Sequence, residues 1–211
     1  MKRKRCFYFA FLSTFRNFVA VMLELNEVCL KTDNAVDHST VSMMAMEGRV
    51  TCITGGTPRW RSRMLLAMLG LAPLSCGYIS VDGEPVDSTT ARDMRRLMAY
   101  VPARLTSVGE TTVYAAPKAG DVFRLHANRH SLYSVERIEQ EKKLIAPDGA
   151  GDERIELLAV AALMQRPILL VDNPPALCAD YLVSQAESGK VVVVGTDDDA
   201  LLRVAHQIVE L

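Results

Sequence analysis

The chain predicts an α/β fold built on a mainly parallel sheet, with an antiparallel β piece near its start. Three observations carry that expectation. Ile168–Val171 and Val191–Val194 are apolar at every position, as strands buried on both faces of a parallel sheet are. Helix-patterned segments alternate with strand-patterned ones through most of the chain. Residues 50–70 read as a strand, a glycine loop and a helix in immediate succession.

Taken in order, Met22–Leu30 alternates apolar and polar residues and reads as a strand, and Lys31–His38 is polar and turn-like. Ser39–Ala45 is a second strand candidate, ended by Glu47-Gly48, and Val50–Thr54 a third. Met64–Gly70 is patterned as a helix. Gly77–Val81 runs as a strand into the turn Asp82-Gly83. Thr90–Leu97 reads as a helix and Met98–Val101 as a short strand closed by Pro102. Tyr133–Leu144 is a charged, solvated helix. In Asp152–Met164 the apolar residues Ile155, Leu158, Ala159 and Ala162 fall at helical spacing. Ala176–Glu187 and Ala200–Ala205 are further helices, and Gln207–Leu211 a closing strand. The core expectation is that Val50–Thr54, Ile168–Val171 and Val191–Val194 lie side by side, with the 168–171 strand neighbouring 50–54. Residues 22–46 and 77–82 supply the antiparallel piece, and a reduced helical subdomain falls within 104–165.

The loop at 53–63, I-T-G-G-T-P-R-W-R-S-R, stands where a phosphate-binding loop stands in a P-loop-type core. Such a loop works by converging backbone N–H groups on an anion beside a helix N-terminus. Begun at Gly55, the pattern G-x-x-x-x-G-K-[ST] meets Trp60 in place of the second glycine and Arg61 in place of the lysine; Ser62 fits. Pro58 removes an N–H, and a planar guanidinium does not replace a compact ammonium. The residues that would touch a nucleotide are Gly55, Gly56, Arg61, Ser62 and Arg63. For Arg61 a solvated loop cation is the favoured alternative.

Composition narrows the class. With 211 residues, 49% of them hydrophobic, the chain is one domain, with or without an appendage. Five cysteines without a C-x-x-C pair fit a reduced cytosolic protein and suggest neither a disulfide framework nor a zinc site. Four histidines show no metal-ligand spacing, and no metal site is assigned. Residues 1–21 differ from the rest. They hold five of the 24 Lys and Arg, none of the 25 acids, and five of the six phenylalanines. This leader has a signal-peptide-like start, but the run from Cys6 to Phe15 is too short to span a bilayer. Two readings rank above secretion: translation begins at Met22, or the leader lies on a membrane or partner. The domain proper is 22–211.

In this order and spacing, several stretches resemble the nucleotide-binding domain of ABC transporters. E-G-R-V-T-C-I-T-G (47–55) is similar to the strand entering the Walker A loop. L-A-M-L-G-L-A-P-L-S-C-G-Y-I-S-V-D-G-E-P-V (66–86) resembles the helix, strand and turn that follow it. M-R-R-L-M-A-Y-V-P (94–102) resembles the approach to the Q-loop, and A-A-L-M-Q-R-P-I-L-L-V-D-N-P (161–174) the helix after the signature and the Walker B strand. The departures are as pointed. The resemblance places Thr32 where an aromatic residue stacks on adenine, and Ala103 at the Q-loop glutamine. The signature falls on G-A-G-D-E (149–153), with Ala150 for serine, Gly151 matching and Asp152 for the second glycine. Asp172 keeps the Walker B aspartate, but Asn173 replaces the glutamate that would polarise water. Asp197, in G-T-D-D-D (195–199), stands at the switch histidine.

The resemblance therefore implies a degenerate copy, with no catalytic residue assigned. Asp152 and Asp197 are expected to repel a triphosphate and weaken homodimerisation. Asp172 is either a residual magnesium ligand or a turn residue before Pro174. The cofactor expectation is none, or ATP bound no better than about millimolar and not hydrolysed. The leading function is a non-hydrolysing structural or regulatory partner of an intact ABC ATPase subunit or permease. It would be cytoplasmic, on the inner face of the cell membrane, with no nucleic-acid partner. The alternatives are a weak ATP-binding subunit that energises transport, and a stand-alone interaction module.

Overall fold

A computed structural model describes residues 21–31, 40–103, 134–149 and 152–211. The expectations for residues 1–20, 32–39 (Thr32, the rest of the turn to His38 and the strand start at Ser39), 104–133 and Ala150-Gly151 lie outside the described residues. Numbering the described elements in chain order gives β1 (Met22–Leu30), β2 (Val41–Met46), β3 (Val50–Thr54), α1 (Pro58–Met68), β4 (Leu74–Val81) and β5 (Glu84–Pro85). Then come α2 (Ala91–Met94) with a 3-10 turn over Arg95–Leu97, β6 (Met98–Val101), α3 (Val135–Ile145), α4 (Glu153–Leu163) and β7 (Ile168–Asp172). The chain closes with α5 (Ala179–Glu187), β8 (Val191–Gly195), α6 (Asp199–Val204) and β9 (Gln207–Glu210).

Two sheets form, as the α/β reading requires. One is antiparallel, in the order β2-β1-β4-β5. The other is parallel, in the order β6-β7-β8-β3-β9. One detail of the expected order is corrected. The 168–171 strand does not neighbour 50–54; β8 lies between them, pairing with Ile168–Asp172 at one edge and Val50–Ile53 at the other. β7 and β8 are both buried at every position. That composition marks an interior strand without saying which slot it fills. The crossovers decide the slot.

Helix α1 sits between the sheets. Its residues Met64, Leu65 and Met68 are fully buried and pack with Leu23, Leu25 and Ile79 of the antiparallel sheet and Ile168 and Val193 of the parallel one. Burying a side chain such as Leu65 contributes about 1.5–3 kcal/mol. The helix starts earlier than its apolar pattern indicates. Thr57 is the N-cap, its hydroxyl accepting from the Trp60 N–H, and Pro58 is the first helical residue. A proline there loses only an N–H that has no helical partner. The helix ends at Gly70, whose φ of 65° is left-handed and whose N–H bonds the Ala67 carbonyl.

The opposite face of the parallel sheet carries a second core. Helix α4 is buried along Leu157–Leu163, pressed between that face and α3, which contributes Ile138 and Ile145. These two helices are the described part of the expected helical subdomain.

The cysteine expectation is corrected as well. Cys29 and Cys76 are joined by a disulfide, with a Cα–Cα distance of 5.0 Å. They face each other across β1 and β4. The pairing is created by strand register, so no local spacing announces it.

Candidate functional site

The site lies where the C-terminal ends of β3, β7 and β8 meet the first turn of α1. Gly55 and Gly56 follow β3 with φ of 79° and 59°, a conformation only glycine adopts readily. At Gly55 a side chain would also lie 3.0 Å from the Leu211 carbonyl oxygen. Across the loop, the turn after β8 is tied down at three points. The Thr196 N–H bonds the Ile53 carbonyl at 2.9 Å, Thr196 Oγ1 accepts from the Asp198 N–H at 3.0 Å, and Asp198 caps α6.

That turn delivers Asp197 to the loop. Its Oδ1 accepts from Thr54 Oγ1 at 2.9 Å and from the Gly55 N–H at 3.1 Å. Its Oδ2 lies 2.6 Å from Arg61 Nη2. Arg61 Nη1 donates to the Gly55 carbonyl at 2.7 Å. Burial of Asp197 pushes its carboxyl up, but Thr54, the Gly55 N–H and the Arg61 charge outweigh this and hold it below the usual carboxylate range.

Arg61 is thus not a solvated loop cation. Its side chain is 3% exposed and paired with Asp197, which is 53% exposed. The residue that follows Trp60 in the first turn of α1 faces inward, and a buried guanidinium requires a counter-ion. Arg63 donates to the Lys31 carbonyl beyond the end of β1. The Ser62 hydroxyl proton is contested by the Pro58 carbonyl at 3.0 Å and the Asp172 carboxylate. The structure therefore brings Gly55, Arg61 and Ser62 together around Asp197 and Asp172, while Arg63 is engaged by the Lys31 carbonyl.

Asp172 ends β7 and is 3% exposed. Burial raises its pKa; the Ser62 hydroxyl, the Ala103 N–H, the Tyr100 hydroxyl and the Arg61 charge pull the other way without cancelling it. Tyr100 Oη donates to Asp172 Oδ2 at 3.4 Å, and its own pKa is raised by burial and by that carboxylate. Asn173 follows with φ of 47°; its N–H bonds the Gly195 carbonyl at 2.8 Å. Asparagine tolerates this left-handed turn better than most residues.

Asp152 also differs from expectation. It is the N-cap of α4, and its carboxylate is gripped by Arg154 through Nε at 3.0 and 3.1 Å and Nη2 at 2.6 Å. The Arg154 hydrogen bonds hold its pKa below the ordinary value, burial opposing. Arg154 Nη1 also donates to the Asn173 carbonyl at 2.9 Å. Asp152 and Asp197 are therefore each paired to an arginine rather than standing bare.

Sequence reasoning missed three participants. Arg154, two residues after a capping aspartate, was foreseeable as a local partner. Thr54 and Tyr100 reach their carboxylates only through the sheet order and carried no local signal. Among the described residues, no group of three or more His, Cys, Asp or Glu is placed to hold a metal ion, and no helix is long and apolar enough to cross a membrane.

A glycine loop running from a central parallel strand into a buried helix, with an aspartate ending another strand of the same sheet, defines a P-loop-type α/β domain. Comparison with known proteins refines this. The family described as ABC transporter matches residues 38–176, and the chain belongs to that family. It is similar to the zinc import ATP-binding protein ZnuC of Vibrio cholerae, 23% identical over 175 residues, covering 77% of this chain and 58% of that protein. It is 25% identical over 169 residues to an ATP-dependent lipid A-core flippase of Xanthomonas oryzae, covering 74% of this chain and 29% of that protein. The chain thus spans less than two thirds of the length of either relative. Among solved structures, a dimeric bacterial ABC transporter cassette superposes with a TM-score of 0.67 at 20% identity, covering 90% of this chain and 94% of the other. The fold is that of an ABC ATP-binding domain.

Proposed function

We propose that this domain acts within an ABC transporter as a non-hydrolysing structural or regulatory partner of an intact ATPase subunit or a permease, held through them at the inner face of the cell membrane. One observation carries the reading: several of the donors that a phosphate would use are already engaged inside the protein. The Gly55 N–H and the Arg61 guanidinium serve Asp197. The Trp60 and Arg61 N–H groups bond Thr57, and position 58 is a proline without an N–H. On this reading a triphosphate would have to displace those contacts, and no hydrolytic step is derived through one. Asn173 adds to the case, since a carboxamide does not act as a carboxylate base.

The domain surfaces are then the reason to keep the fold. ABC ATP-binding domains work in pairs and with membrane subunits, and both relatives above are transport proteins by name. With Asp152 and Asp197 each paired to an arginine, a second domain could dock without bringing two bare anions into the interface.

A second reading has one observation in its favour. Gly55 and Gly56 retain left-handed conformations beside the first turn of α1, the backbone frame of a nucleotide loop. Weak ATP binding would use that frame, with Gly55, Gly56, Arg61, Ser62 and Arg63 as contacts. Affinity purification of the tagged protein from its native cell tests the leading reading. Co-recovery of a permease or second ATPase is expected, with partner-dependent ATP hydrolysis that survives mutation of Ser62 in this chain. Recovery of the monomer alone argues for a stand-alone module. Calorimetry giving a micromolar Kd for Mg-ATP favours the second reading.

A further inference from the structure

We propose that Asp197 is a built-in anion that excludes external phosphate from the loop, and that removing its charge converts the loop into a phosphate-class anion site. The inference rests on the nucleotide-independent reading above and names the residue responsible for it.

Three features separate this contact from an incidental surface ion pair. First, both carboxylate oxygens are used, and every donor they take belongs to the loop or the turn that follows it: Thr54 Oγ1, the Gly55 N–H and Arg61 Nη2. A backbone N–H, a hydroxyl and a guanidinium converging on two oxygens form the donor set of an oxyanion cradle. Second, the cation is buried at 3% exposure and its direct ion-pair partner is Asp197, while Asp172 acts on it only through its field, so it needs a contacting anion in the folded state. If Asp197 is absent, the demand remains and an external anion can meet it. Third, the supply is rigid. Thr196 and Asp198 flank Asp197 and are fixed to β3 and α6 by their own hydrogen bonds, so the carboxylate is not on a swinging loop. An incoming phosphate must displace a positioned carboxylate and approach its charge. Asp197 faces solvent on its other side, at 53% exposure, so an entry route exists once it is gone.

The test uses the full chain and inorganic pyrophosphate, with ionic strength held constant by sodium chloride. Melting temperature is followed for the unmodified protein, Asp197→Ala and Asp197→Asn. The unmodified protein should not respond to pyrophosphate. Asp197→Ala should gain about 3–6 °C at a concentration tenfold above its Kd. Asp197→Asn retains hydrogen-bond capacity without the charge and should gain less; it also keeps the test alive if the alanine variant does not fold. A response of the variants that the unmodified protein lacks supports the proposal. Equal responses in all three proteins, or none in any, overturn it. A purely structural role for Asp197 would lower every melting temperature without making any of them depend on pyrophosphate. Because the readout is a difference between variants and needs no partner, it stands or falls separately from the co-purification experiment.

Discussion

Replacing Asp197 with alanine should destabilise the domain by about 2 kcal/mol. Truncating one partner of a fully buried ion pair costs about 3–5 kcal/mol, because the other charge is stranded. Exposed pairs are worth about 0–1 kcal/mol. This pair falls between those limits: Arg61 is 3% exposed and Asp197 53% exposed. Arg61 also keeps the Gly55 carbonyl as a partner after the change, which limits the loss. In a domain of this size, 2 kcal/mol corresponds to a fall in Tm of about 4–8 °C. The diagnostic variant is the double substitution Arg61→Met/Asp197→Ala, which removes both charges and keeps an unbranched apolar stem in the buried position. It should be more stable than the sum of the single losses implies, with a coupling of about 1 kcal/mol or more in urea denaturation at fixed ionic strength. Losses that add to within about 0.3–0.5 kcal/mol would show that the two residues act independently and would refute the reasoning.

Reducing the Cys29–Cys76 bond closes a separation of 47 residues no longer, and should cost about 2–4 kcal/mol on the chain-entropy estimate; identical urea midpoints with and without reductant would contradict this. Gly77→Ala should be among the most damaging single changes, because its Cβ would lie 2.3 Å from the Asn26 and Glu27 carbonyl oxygens at a φ of +72°; a loss below about 1 kcal/mol by denaturation would count against the strand geometry. The carboxylates set opposite pH slopes. Asp152 and Asp197 sit below the ordinary 3.8, so the stability they contribute is whole above 3.8 and is lost as pH falls through their folded values. Asp172 sits above 3.8, so it favours the folded state as pH falls through its folded value toward 3.8. The unmodified chain should therefore gain stability over Asp172→Asn on going from pH 7 toward pH 4, and parallel curves for the two proteins would sink the assignment.

Much of the architecture was legible in residue patterns, for identifiable reasons. Ile168–Val171 and Val191–Val194 are apolar on both faces, and only a covered parallel sheet has use for such strands. Met22–Leu30 alternates because one face of its sheet packs on α1 and the other meets water. The order of strands β7, β8 and β3 was not legible, since equal composition permits either arrangement. The start of α1 was readable after all: Thr57-Pro58 is an N-cap followed by a proline at the first helical position. At the site, the glycines announced themselves through their type. The partners of Arg61 and Asp152 did not all do so. Arg61 lies six residues from the Gly55 carbonyl and far along the chain from Asp197, and only the completed sheet brings the charges together. The same holds for Cys29 and Cys76, whose bond follows from register.

Helix α1 begins at the loop and runs buried between two sheets of different origin in the chain. Its first turn carries the Arg61 charge and its next turns carry Met64, Leu65 and Met68 into the shared core. Pro58 and Arg59 at its start are exposed, and burial is continuous only from Met64 to Met68. Carrying Arg61 outward by moving the helix as a body would shear the packing of Met64, Leu65 and Met68 between the sheets. A partner protein touching the far side of the antiparallel sheet would for the same reason be mechanically in series with the loop, though it never approaches it.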